Sequence, residues 1–199
     1  MSSQVAHLDE LDRIPVAHGL EWRPVRRRFG IAAFGVNAYT AAKPGDWVVE
    51  EHTEERLGHE ELYVVVRGRA RFTLDGEEVD APAGTLVFVS DPTVKRVAVA
   101  EEEETTVLAV GGKPGEAFTP SAWEWFFQAY AQPAEEGIAT LRSGLVELGE
   151  RAPLYYHLAC LEARAEQTDD ARAHLARAVE LDAMFGEWAK QDDDLKEIV

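Results

Sequence analysis

The residues most able to do chemistry sit in the stretch 52–61. His52 and Glu54 are two apart, and so are His59 and Glu61. In extended chain, residues two apart point to the same side. A hairpin through 55–58 would set the two pairs beside each other. Two imidazoles with one or two carboxylates on one face make a divalent-metal site. Such a donor set suits Fe, Mn, Ni, Cu or Zn and does not choose among them. The parity of the following run agrees: Leu62, Val64 and Val66 take one face, and His59, Glu61 and Tyr63 take the other. If the second set lines a barrel, the lumen is polar and Tyr63 is a pocket residue and proton donor. The ordinary alternative is that both histidines face solvent and Glu60 and Glu61 form a solvated edge. Four adjacent carboxylates, Glu101 to Glu104, repel one another without an imidazole and read as an exposed turn. The sequence shows neither a Ser-His-Asp arrangement nor a Gly-rich phosphate loop, so acyl transfer and nucleotide chemistry find no support.

These side chains need a sheet to hold them. From about Trp22 to Gly111 short β-branched and aromatic runs alternate with Gly, Pro and Asp. Strands are predicted at 26–31, 34–40, 47–52, 61–67, 70–74, 85–89, 95–100 and 106–110. Asp75-Gly76 marks a hairpin and 81–84 a turn. Short, regularly spaced strands without intervening helical patterns read as a sandwich or barrel. Residues 1–20 read as a loosely attached arm or a short helix at 5–11.

Composition narrows the partners. The chain of 199 residues carries 37 acidic and 20 basic side chains, a formal net charge of −17. That disfavours nucleic acid and anionic membrane surfaces. No apolar run approaches the roughly 20 residues needed to span a bilayer. The N-terminus lacks a secretory pattern, and the one cysteine, Cys160, allows no intrachain disulfide. A reducing, cytoplasmic setting is expected.

The phrase Glu60-Glu61-Leu62-Tyr63-Val64-Val65-Val66-Arg67-Gly68, with Gly45 and His52 before it, resembles the first motif of the cupins. Gly84-Thr85-Leu86-Val87-Phe88-Val89-Ser90-Asp91-Pro92 resembles their second, with Ser90 where Pro is usual. The resemblance spans about 25–112 and implies an RmlC-like double-stranded jelly roll. It also implies a metal-centred, small-molecule chemistry such as oxygenation, isomerisation or epimerisation, and pairing of two copies through edge strands. The departures are specific. Glu54 stands where the second histidine of the first motif belongs, with His59 close by. Lys95, followed by Arg96, stands where the second-motif histidine belongs. Three readings stay open. His52, His59 and Glu61, with or without Glu54, hold a metal with open positions; or Lys95 or Arg96 enters a metal-free pocket for a small molecule; or the barrel is structural.

After Gly111 the apolar spacing becomes helical. Helices are predicted at 121–131, 134–148, 152–166, 168–181 and 185–198, with Ser121 and Thr168 as caps. Tyr155, Leu158 and Ala159, then Ala171, Leu175 and Ala178, resemble a tetratricopeptide repeat, with Glu162 and Ala183 off the pattern. Gly137, Leu141 and Gly144 repeat the second-helix positions one unit upstream, after a helix whose Trp123, Trp125, Phe126 and Phe127 are too bulky for it. That aromatic group reads as interdomain core. His157 and His174 read as surface or interface histidines, and Cys160 as a small buried residue.

The expected architecture is an arm (1–20), a mainly β cupin barrel (21–118) and an all-α repeat-like unit (119–199). The expected function is a homodimeric protein binding a divalent metal, a small-molecule ligand or both. A metalloenzyme of oxygenase or isomerase type is one form of it. A non-catalytic ligand-binding or regulatory module whose helices contact a partner protein is the other.

Overall fold

A computed structural model describes residues 3–198; Met1 and Ser2 of the expected arm and Val199 of the helical part lie outside the described residues. The chain divides into two compact units at Thr119/Pro120.

The first unit runs β1 (Ile14–Pro15), β2 (Leu20–Arg23), α1 (Val25–Phe29), β3 (Gly35–Ala41), β4 (Trp47–His52), β5 (Glu60–Arg67), β6 (Arg69–Leu74), β7 (Glu77–Pro82), β8 (Leu86–Val89), β9 (Arg96–Ala100) and β10 (Thr105–Gly112). Among the described residues these make a six-stranded sheet, β1-β2-β3-β10-β5-β8, and a four-stranded one, β4-β9-β6-β7. The inward parity of the central strands is largely apolar. Val48, Val49, Phe72 and Ala98 of one sheet meet Tyr63, Val65, Val87 and Val107 of the other in one core. The interior is therefore hydrocarbon over most of its length, not the polar lumen expected, and polar side chains gather at one end.

Four expectations fail for local reasons. The strand predicted at 26–31 is the short helix α1, which Gly30 ends at φ 65° with its N–H on the carbonyls of Arg26 and Arg27. The arm is not loose: Leu11, Ile14, Leu20 and Trp22 are buried, and β2 pairs with β3. Its helix is only a single 3-10 turn, Leu8–Glu10. Strand β7 was masked by Glu77, Glu78 and Asp80, which are poor strand formers tolerated here on a sheet edge.

The second unit holds α2 (Trp123–Tyr130), α3 (Ala134–Leu148), α4 (Ala152–Arg164), α5 (Thr168–Leu181) and α6 (Met184–Ala189). Neither Ser121 nor Thr168 caps: Ala122 and Gln167 occupy those positions without a side-chain bond. The last helix stops at Ala189, and Asp192 caps a separate 3-10 turn at Asp193–Leu195. Trp125 is buried in this unit's own core with Leu141, Leu154 and Leu158. His157 is half-buried among aromatic rings, 4.2 Å from that of Phe126, with burial holding its pKa down to about 4. No helix of the described residues is long and apolar enough to cross a membrane.

The α2–α3 contact depends on missing side chains. A Cβ on Gly144 would lie 2.6 Å from Trp125 Cδ1. Alanine favours a helix interior over glycine by about 1 kcal/mol, yet Gly144→Ala must displace a fully packed indole. The expected result is a net loss of about 1–3 kcal/mol in urea unfolding. An unchanged or raised midpoint would show that the helices do not pack this closely.

Candidate metal centre

The end of β4 delivers His52, and β9 places Arg96 directly across from it in antiparallel register. From the opposite sheet, β5 turns Glu61 and Tyr63 inward. Glu54 arrives from the loop after β4, where its backbone N–H donates to Pro92 O at 2.8 Å. Because β4 and β5 belong to different sheets, the 55–58 segment crosses between sheets and does not form the expected hairpin. The residues converge because two sheet faces meet.

The stem of Glu61 needs space that only glycine leaves. Glu61 pairs with Gly111 of β10, and a Cβ there would lie 3.0 Å from Glu61 Cγ and 2.9 Å from Glu60 O. Glu61 Oε2 accepts from Arg96 Nη1 at 2.9 Å and from the Tyr63 hydroxyl. Arg96 is fully buried. Lys95 is not in the site. It points outward, its ammonium 2.8 Å from Glu51 and more than half exposed. On β9 the inward positions are Arg96, Ala98 and Ala100, so the basic residue that enters is one place beyond the motif position.

His52 is held in a definite orientation. A carbonyl only accepts, so the 2.7 Å contact of Nδ1 with Glu50 O puts a proton on Nδ1. Nε2 then faces Glu61 Oε2 at 3.4 Å and Glu54 Oε1 at 3.6 Å. A bare lone pair between two carboxylates is repelled, so the spot calls for a positive centre, either a second proton or a cation. Glu54 Oε2 is buried and accepts no hydrogen bond; its neighbour is His59 Nδ1 at 3.3 Å.

The pKa directions follow from this crowding. Burial, then the charge of Glu61, pushes Glu54 up to about 7. Burial also opposes ionisation of Glu61, but donors from His52, Tyr63 and Arg96 outweigh it and hold that carboxyl below its ordinary value. Burial opposes charging of His52 as well, yet Glu61 and the Glu50 carbonyl hold it above the ordinary imidazole value. For His59 burial prevails over the pull of Glu61, and the value is lowered. Burial and Glu61 keep the Tyr63 phenol firmly protonated.

The donor set fits a divalent ion. His52, Glu54 and Glu61 each offer one ligand atom, and these lie within 4.8 Å of one another. The oriented Nε2 and the unsatisfied Glu54 oxygen are what such an ion would use. Of the predicted ligands, His59 stands outside this triplet, its Nδ1 3.3 Å from Glu54 Oε2. One other group of the described residues comes as close, Cys160 with Asp192 and Asp194 in the helical unit. There Asp192 accepts from Tyr156 at 2.6 Å, Asp194 pairs with Arg164 at 2.7 Å, and burial pushes the thiol up to about 12. Those groups already satisfy one another.

Residues 38–111 match the family model described as Cupin domain. Among solved structures, an RmlC-like cupin from Shewanella frigidimarina is 17% identical, with a TM-score of 0.43 over 57% of this chain and 95% of its own. KdgF from Halomonas sp. is 19% identical, with a TM-score of 0.45 over 55% and 93%. A sugar phosphate isomerase of the cupin superfamily from Silicibacter pomeroyi is 20% identical, with a TM-score of 0.45 over 59% and 77%. No curated protein sequence matches the chain.

Glu54 gives the ion-free domain a pH dependence. Its folded pKa of about 7 lies above the ordinary 4.5, so the stability it contributes is present at low pH and lost as pH rises through about 7. His52 acts in the same direction and Glu61 in the opposite one. In chelator, Glu54→Gln is expected to flatten the fall of the thermal midpoint from about pH 4.5 to 7. An unaltered slope would remove Glu54 from this role.

Proposed function

We propose that this cupin domain holds a divalent transition metal through His52 Nε2, Glu54 and Glu61, and that a small polar molecule binds beside it. The observation that carries the reading is the His52 imidazole, fixed by Glu50 O so that Nε2 faces two carboxylates. When bound, the ion would supply Lewis acidity to a substrate oxygen. The chain's own residues do the rest. Tyr63 and Arg96 hold Glu61, the Glu50 carbonyl orients His52, and the hydrocarbon core below closes the barrel to water. His52 is partly exposed, so its Nε2 side of the site can be reached from solvent. The likeness of residues 38–111 to the cupin domain suggests isomerisation or oxygenation of a small molecule as the reaction class.

A second reading is supported by Arg96, a permanent cation that pairs with Glu61 inside the barrel, so that this carboxylate is neutralised without an ion. On that reading the mouth binds a small molecule without metal, and the protein is a ligand-responsive module. For the helical unit we propose a tetratricopeptide-like α4–α5 pair that docks a partner protein. The packing of Ala159 of α4 with Leu175 and Ala178 of α5 in one buried cluster supports it.

Elemental analysis decides between the two barrel readings. Protein purified without added metal, then reconstituted with Mn, Fe, Ni, Cu or Zn, is expected to carry one ion per chain. His52→Ala and Glu54→Gln should weaken affinity at least about tenfold, and Lys95→Ala should leave it unchanged. Failure of the wild type to hold any of these ions overturns the metal reading in favour of the second.

A further inference from the structure

We propose that the outer face of the six-stranded sheet carries a further binding site, between β5, β8 and residues 113–118, for a small arylalkylamine: one aromatic ring bearing one ammonium group. The site uses no residue of the candidate metal triplet and does not rest on the metal reading.

The two halves of that outer face are finished differently. Over β2 and β3 the chain covers itself: buried Arg23 donates to Thr40 Oγ1 at 2.8 Å and to Leu8 O at 3.0 Å. On β8 the outward side chains stay in water, Leu86 64% and Phe88 59% exposed. Beside them opens a cavity of about 310 Å³. Its apolar walls are Leu62, Phe88 and Val110 from the sheet, Phe34 from the loop before β3, and Phe118. Glycine backbone shapes it. A Cβ on Gly35 would lie 3.0 Å from Phe118 Cε2, and one on Gly112 would lie 3.9 Å from Phe118 Cδ2, so that ring rests against bare main chain. The volume is at the small end of ligand sites and suits a single ring. On β5, Glu60 shares the outward parity of Leu62, opposite to Glu61 and Tyr63.

Charge selects the ligand. Three of the lining residues are charged: Glu60, Lys113 and Glu116. Lys113 Nζ lies 2.6 Å from Glu116, and the two cancel. The half-buried Glu60 carboxylate has no hydrogen bond or ion pair with any described residue. Charged groups just beyond the cavity are engaged elsewhere. Glu61 turns into the barrel and binds Arg96 at 2.9 Å, Arg26 donates to Ile31 O at 3.1 Å, Arg27 is partnered within the fold, and Arg28 lies 5.8 Å from the centre of the Phe29 ring. Glu55 and Arg56, in the turn before β5, are opposite in sign and do not line the cavity. His59, its ring 6.5 Å from that of Phe118, is held below the ordinary imidazole value by burial and is uncharged at neutral pH. The cavity therefore presents one unpaired carboxylate among three phenylalanine rings. An ammonium meets both, the carboxylate by charge and the ring faces by their quadrupole. The net charge of −17 adds a field that gathers cations and repels anions. The aromatic part of the ligand takes Phe34, Phe88 and Phe118 out of water. A ring without the ammonium would bury Glu60 unpaired, and an ammonium without the ring would leave the walls wet.

The test is a calorimetric titration of phenethylamine into the full-length protein in chelator, with saturation-transfer NMR on the ligand's ring protons. The wild type is expected to bind one molecule per chain with a Kd of about 1 mM or tighter. 3-Phenylpropionate, with the same ring and the opposite charge, and propylamine, with the charge and no ring, should each bind at least about fivefold more weakly. Glu60→Gln and Phe88→Ser, both at surface positions that the core does not use, should each weaken phenethylamine at least about threefold. Lys113→Met, which frees Glu116, should tighten it. A wild type that does not bind phenethylamine overturns the proposal, as does equal binding of 3-phenylpropionate or of propylamine. Unchanged affinity in Glu60→Gln places the ligand elsewhere and also overturns it. So does a wild-type dimer in light scattering that Phe88→Ser turns into a monomer, because the face is then an interface between two copies.

Discussion

A single carboxylate oxygen organises the barrel mouth. Glu61 Oε2 takes the Arg96 guanidinium and the Tyr63 hydroxyl and faces the His52 imidazole. An unpaired charge in such a place would cost several kcal/mol, so Glu61 and Arg96 are each tolerable only because the other is there. Arg96 in turn spends its other donors on the carbonyls of residues 91, 92 and 94. The loop that closes one end of the barrel and the acid inside it are thus mechanically the same object.

That object is assembled from both sheets. β4 and β9 bring His52 and Arg96 from one side, and β5 brings Glu61 and Tyr63 from the other. Below them Val65, Phe72, Val87 and Val107 are buried in one apolar cluster. The apolar fill raises the cost of any unmatched charge above it. Burial is accordingly the largest influence on Glu54, Glu61, His52 and His59, though the four shift in different directions. The outcome for each depends on how many donors it has gathered. Glu61 has gathered several, while Glu54 Oε2 has gathered none.

Much of this geometry was legible wherever alternation carried the information. The β5 parity, with Glu61 and Tyr63 inward and Leu62 and Val64 outward, follows from a period of two that the sheet preserves. Trp47–His52, Ala134–Leu148 and Thr168–Leu181 have the bounds their patterns predict. Spacing between motifs was a poorer guide. Counting along the second motif points to Lys95, but one residue's shift in a strand moves a side chain to the other face. The small inward partners Ala98 and Ala100 mark Arg96 as the residue that enters. The hairpin expected at 55–58 failed for a reason no local pattern holds, because consecutive strands that change sheets look the same as consecutive strands that pair. The buried N-terminal segment was missed because Arg13, Glu21 and Arg23 mask Leu11, Ile14 and Trp22, though Arg13 and Arg23 are bonded within the fold.

The helical unit supplies a control on what a buried acid means. Glu162 stands where the repeat pattern expects an aromatic side chain, and it is fully buried. Its Oε1 accepts from Arg142 at 3.1 Å and its Oε2 meets His174 at 2.6 Å, so both oxygens are satisfied by helices packed on either side. Nothing is left over for a ligand, and the residue ties α3, α4 and α5 together. Glu54 has comparable surroundings and the opposite balance: one oxygen without a hydrogen bond, an imidazole nitrogen turned toward the other, and a second carboxylate within reach. Burial of an acid is common to both places. An unsatisfied carboxylate oxygen beside an oriented imidazole and a second carboxylate occurs at the barrel mouth and not at Glu162, and that difference separates a site from a strut.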